Sequence, residues 1–120
     1  MAGKLTTHVL DISRGVPAAG MHIRLFRLDG ESRQLLREAD TNSDGRLDQP
    51  LLSEGALEAG LYELVFDAGG YFRESPVFGL KEEELFLEQV PIRFRVSDPK
   101  AHYHVPLLVA PGGYSTYRGS

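Results

Sequence analysis

Two histidines that flank one tyrosine, His102-Tyr103-His104, and a chain end reading Tyr117-Arg118-Gly119-Ser120 are the places where this sequence concentrates reactive side chains. Imidazole titrates close to working pH, which suits it to proton transfer. Alternation along a strand places His102 and His104 on one face, about 7 Å apart. Such a pair can serve as a general base and its helper, or with His8 it can supply three nitrogens to a catalytic-type zinc site. His8 lies between Thr7 and Val9 in an apolar run, and His104 is followed by Val105-Pro106-Leu107-Leu108, so both imidazoles border apolar surface. Strand histidines are also ordinary half-buried residues, and His22 is read as one of these. Arg46 follows Gly45, where a returning strand can aim its guanidinium inward. Arg118 is placed to pair with a carboxylate or an anionic ligand.

Other chemistries find little support. The sequence has no cysteine, so thiol catalysis, disulfides and thiolate metal sites are excluded. Asp40, Asn42, Asp44, Gly45 and Asp48 imitate the first positions of a calcium loop. Leu51 stands where the bidentate glutamate is needed, and no flanking helices are expected, so the segment reads as a turn between strands. No Gly-x-Ser-x-Gly elbow, Rossmann fingerprint or phosphate loop is present. Ser115 and Thr116 read as strand residues.

The elements that must position these groups are mainly strands. Met21, Ile23 and Leu25 alternate with His22, Arg24 and Phe26; Tyr62, Leu64 and Phe66 alternate with Leu61, Glu63 and Val65. Val90, Ile92, Phe94 and Val96 alternate with Pro91, Arg93 and Arg95. Each pattern describes a strand with one face inward. Adding Leu5 to Ile12, Leu35 to Thr41 and two runs divided by Pro111-Gly112-Gly113 predicts about seven strands. Turn chemistry at Arg14-Gly15-Val16-Pro17, Leu28-Asp29-Gly30, Asn42 to Gly45 and Ala68-Gly69-Gly70 ends strand-like runs. A β-sandwich is expected. One helix is expected between Gly70 and Glu88, within reach limited by Pro76.

The 120 residues fit a single domain. The net charge of −4 at pH 7 and scattered basic residues argue against nucleic acid and leave a small molecule as the expected partner. No apolar run approaches the roughly 20 residues of a membrane span. With no secretory h-region, no peroxisomal Ser-Lys-Leu ending, and Ala2 where myristoylation needs glycine, cytoplasmic residence is expected.

Taken together, Leu5-Thr-Thr-His-Val-Leu-Asp11, Arg14-Gly-Val-Pro-Ala18, Asp44-Gly-Arg46, His102-Tyr-His-Val-Pro-Leu-Leu108 and the closing Tyr117-Arg-Gly-Ser120 resemble the transthyretin-related 5-hydroxyisourate hydrolases over the whole length. The resemblance implies a mainly β fold, a transthyretin-like β-sandwich of two four-stranded sheets with one short helix. It also implies a homotetramer, a dimer of dimers with active sites in the channel between them. The implied reaction opens 5-hydroxyisourate by hydrolysis at a ring carbonyl, with no metal or other cofactor. By similarity His8, Arg46, His104 and Ser120 fall on catalytic positions, and Tyr117, Arg118, Gly119 and His102 on substrate-binding ones. His8 and His104 would act as base and proton relay, Arg46 as clamp for the developing oxyanion, and Arg118 and Ser120 would orient water or substrate. Transthyretin, a hormone carrier of this fold, carries lysine, glutamate and threonine where this chain has His8, Arg46 and His104, and lacks the Tyr-Arg-Gly-Ser ending. A non-catalytic small-molecule carrier is therefore the alternative. The acidic stretch Gly79 to Glu88 departs from what the resemblance leads one to expect of bacterial relatives.

Overall fold

The computed structural model describes residues 2–75 and 79–120. Eight strands run in chain order: β1 (Leu5–Asp11), β2 (Val16–Pro17), β3 (His22–Asp29), β4 (Ser32–Asp40), β5 (Gly60–Asp67), β6 (Gln89–Val96), β7 (Tyr103–Ala110) and β8 (Gly113–Thr116). They form two four-stranded sheets, ordered β2-β1-β7-β8 and β4-β3-β5-β6. The expected sandwich of two four-stranded sheets is the observed one. Its eighth strand is β2, whose Val16 and Pro17 were expected in a turn and instead pair with Asp11 and Leu10. A proline fits there because the outer side of this edge strand needs no donor.

Period-2 alternation does the sorting. In β1, Leu5, Val9 and Asp11 are fully buried and Thr7 nearly so, while Thr6, His8 and Leu10 lie on the other face and are only partly covered. In β7, Tyr103, Val105, Leu107 and Val109 point inward, and His104 and Leu108 point out. These residues meet Ile23, Leu25, Tyr62, Leu64, Phe66, Val90 and Val96 of the facing sheet in one apolar cluster. Removing such side chains from water is the main stabilising term. β1 and β7 run parallel, with Thr6 opposite His104 and His8 opposite Pro106, and every other strand pair is antiparallel.

The helix lies earlier than expected. α1 (Ala68–Arg73) opens on the two glycines that were read as a strand-ending turn, with the Asp67 carboxylate accepting from the Gly70 N–H at 3.1 Å. The Glu88 side chain lies close over the first of these glycines, with a carboxylate oxygen 2.7 Å from where a Cβ on Gly69 would stand. α1 buries Ala68, Gly69 and Phe72. The glutamate-rich stretch forms only a 3-10 turn, Glu82–Glu84, that buries nothing. Good helix formers without an apolar stripe gain too little from packing to extend it. Pro76, expected to limit the helix, lies outside the described residues.

Candidate active site

The free edge of β1 is completed by segments from elsewhere. Arg46 bridges to His8 and Leu52 to Leu5, while across the sheet Gly119 bridges to His104 on β7. The outer face of the β1-β7 pair therefore carries His8 and His104 one diagonal step apart, with Arg46 on one flank and the end of the chain on the other.

The turn that delivers Arg46 is built from the residues that imitate a calcium loop. The Asn42 side-chain oxygen accepts from the N–H groups of Asp44 and Arg46, at 2.9 and 3.1 Å, and its amide donates to Asp48 at 3.0 Å. Gly45 adopts φ +76°, and its carbonyl accepts from the Val9 N–H at 2.8 Å. A Cβ there would lie 2.3 Å from the Val9 carbonyl oxygen, so only glycine lets the turn dock. The exposed Arg46 side chain has no carboxylate partner among the described residues. It lines a cavity of about 210 Å³ with Thr6, Thr7, Asp48 and Gln49.

His8 Nε2 lies 2.8 Å from the Asp44 carbonyl oxygen. A carbonyl only accepts, so Nε2 carries the hydrogen, and in the neutral ring Nδ1 is the nitrogen with the lone pair. His104 Nδ1 is bonded to the Thr6 hydroxyl at 2.8 Å, which fixes the ring and leaves Nε2 for water or substrate. Burial, then the charge of Arg46 and then His8, hold the His104 pKa below its ordinary 6.5. Its neutral, proton-accepting form is thereby favoured.

The tail divides. Gly119 N–H donates to the His104 carbonyl at 2.7 Å, and a Cβ on Gly119 would meet His104 Cδ2 at 2.6 Å. Ser120 follows at the rim, exposed, as is Tyr117. Arg118 turns to the opposite side of β7. Its guanidinium lies 4.2 Å from the centre of the Tyr103 ring and donates to the His102 carbonyl at 3.3 Å. His102, exposed just before β7, takes part in that contact through its backbone alone. Among the described residues no three of His, Cys, Asp and Glu gather as a metal site would require, so His8, His102 and His104 do not form the three-histidine set.

The family model described as HIUase/Transthyretin family matches residues 5–119. The chain belongs to this family. The 5-hydroxyisourate hydrolase 2 of Rhizobium meliloti is 55% identical over 120 residues, covering 99% of this chain and 98% of that one. Among solved structures, Klebsiella pneumoniae 5-hydroxyisourate hydrolase aligns with TM-score 0.80 at 36% identity, over 98% of this chain and 99% of that chain. An (S)-allantoin synthase aligns with TM-score 0.89 at 45% identity; 99% of this chain is covered but it spans only 44% of that one. Sea bream transthyretin in complex with thyroxine, at 24% identity, covers 97% of this chain and 94% of its own with TM-score 0.83, which bears on the fold alone.

Within this HIUase/transthyretin family chain, the fold gathers His8, Arg46, His104 and Gly119, with Ser120 adjoining. Two members of the site, Thr6 and the Asp44 carbonyl, went unrecognised in the sequence. Thr6 takes its place from the parallel β1-β7 register, a pairing across 98 residues that no local pattern announces.

Proposed function

We propose that this protein is a 5-hydroxyisourate hydrolase, a single-domain enzyme that opens its substrate to 2-oxo-4-hydroxy-4-carboxy-5-ureidoimidazoline. The observation that carries the reading is the convergence of two histidines and a free arginine on one sheet face, in a chain 55% identical to a 5-hydroxyisourate hydrolase. His104, kept neutral by its surroundings, takes a proton from water as the oxygen adds to the ring carbonyl carbon. Arg46 holds the oxyanion that develops. The C–N bond then breaks and the ring nitrogen receives the proton from the base; the second water proton is released as the new carboxylate forms. His8, anchored through Nε2, relays protons through Nδ1. Ser120 and Tyr117 orient water and substrate at the rim, and Gly119 and His102 shape its wall.

The face that carries these groups is open, and a flat polar substrate needs an opposing wall that excludes water. Leu10 and Leu108 flank the histidines, and Ile12 is 52% exposed beside them. An apolar margin around a polar centre is suited to burial by a second copy. The proposed assembly is a homotetramer, a dimer of dimers, working in the cytoplasm. Among the described residues no helix is long and apolar enough to cross a membrane.

The deciding experiment follows the ultraviolet decay of freshly generated 5-hydroxyisourate at neutral pH with and without the protein. Acceleration beyond spontaneous hydrolysis is expected, and decay equal to the blank in the presence of folded protein would refute the reading. His104→Ala should lower the rate by about 10²- to 10⁴-fold, the usual loss for a general base.

A further inference from the structure

Consecutive residues of the tail serve opposite sides of β7. Gly119 closes against the His104 ring on the outer face, while Arg118 reaches Tyr103 on the inner one. Tyr103 is a fixed post: only 4% exposed, its phenol oxygen accepts from the N–H groups of Ser97 at 3.1 Å and Asp98 at 3.0 Å. A planar guanidinium over such a ring gains cation–π attraction, and it holds a second anchor in the His102 carbonyl at 3.3 Å. No other side chain of the last four residues makes a hydrogen bond, ion pair or ring contact among the described residues. The Gly119 amide bond to His104 is the remaining tether.

We infer that Arg118 is a positioning residue for the reaction: its grip on Tyr103 and the His102 carbonyl latches the tail, keeping Gly119 closed over His104 and Ser120 beside it. Arg118 itself touches no substrate. The kinetic consequence rests on the hydrolase reading, whereas the latch is a property of the tail and is measurable without substrate. Opening the latch uncovers the His104 ring, which is faced by His8 from β1 and Arg46 from the flanking turn. A group displaced by about 1 Å costs on the order of 10²-fold in rate, so a loosened tail is felt in kcat.

The test uses the full chain with Arg118→Ala, Arg118→Lys, Gly119→Ala and the double variant of Arg118→Ala with Gly119→Ala. Circular dichroism and sedimentation establish that fold and assembly are kept. In Arg118→Ala the Gly119 amide should exchange hydrogen faster. On the order of 10- to 10²-fold of kcat should be lost with KM little changed. The acid limb of the pH profile should move up toward the ordinary histidine value as the ring loses cover. Lysine keeps the charge without the planar face and should not restore kcat. The double variant should be no slower than the slower single one, because both changes release the same tail. Unchanged exchange at Gly119 would overturn the latch. So would a loss carried by KM and rescued by lysine, or losses that multiply in the double variant; each would mean that Arg118 meets substrate directly. Should the unmodified protein fail to hydrolyse 5-hydroxyisourate, the proposed activity falls while amide exchange still decides the latch.

Discussion

At the scale of single residues, the proposed site works by setting protonation. A base must be neutral to act, and His104 is pushed that way by burial first and by Arg46 second. Its folded pKa lies below 6.5, so the neutral form persists to lower pH than for a free imidazole. The acid limb of kcat/KM is expected below that value, and a limb at or above it would remove His104 as the base. Arg46→Gln takes away one of the charges that depress His104. The expected outcome is a loss of about 10²- to 10³-fold, as for a lost oxyanion donor, together with an acid limb displaced upward. Steady-state rates across pH measure both. His22 shows the reverse effect. Its Nδ1 lies 2.7 Å from Asp40 and its Nε2 2.9 Å from Glu38, and the bond to Asp40, with help from Glu38, raises its pKa against burial. A raised folded value means a contribution fully present below pH 6.5 and lost as pH climbs through the folded pKa. With 40% of the side chain exposed, the effect is small. Comparing the melting temperature of His22→Gln with that of the parent on either side of that pH should show the parent's advantage only on the acid side.

At the scale of elements, positions follow from turns and pairings more than from propensity. Gly45→Ala should lower activity about as much as loss of Arg46 itself, because a Cβ at φ +76° strains the turn and strikes the Val9 carbonyl. A crystal structure should then show Arg46 withdrawn from His8, and an unmoved Arg46 with full activity would contradict this account. The strands were legible wherever one face is buried: Val90, Ile92 and Val96 fall inward as their alternation says. β4 was placed from Leu35 onward and starts at Ser32, since almost all of it is exposed and no buried face marks its beginning. β2 was hidden because two residues carry no period. α1 was displaced because glycines at 69 and 70 read as a turn until Glu88 and Asp67 are seen pressing on them. At the site, His8, Arg46 and His104 were legible through motif and family likeness. The side to which Arg118 turns was not, because β8 ends at Thr116 and alternation gives no guidance beyond it.

At the scale of the whole molecule, the proposed homotetramer would tie activity to assembly through the open histidine face. Leu108→Glu places a charge on the apolar margin that the proposed tetramer would bury, and it should yield smaller, folded species with reduced turnover. Sedimentation would detect the former and the substrate decay assay the latter; an intact tetramer with full activity would argue that this face is not the buried one. Leu64, fully buried between the sheets, belongs to the fold instead. Its replacement by alanine should cost about 2 to 5 kcal/mol, read in chemical denaturation, with little effect on kcat in the protein that remains folded. The parallel pairing of β1 with β7 also governs when function first appears in the life of a chain. Thr6 and His8 leave the ribosome before the strand that completes their site, which brings His104 98 residues after Thr6. Closing so long a loop is slow. A chain made only as far as Tyr103 holds His8 without His104, and in refolding the return of hydrolysis should coincide with the last structural phase, making turnover a clock for completed folding.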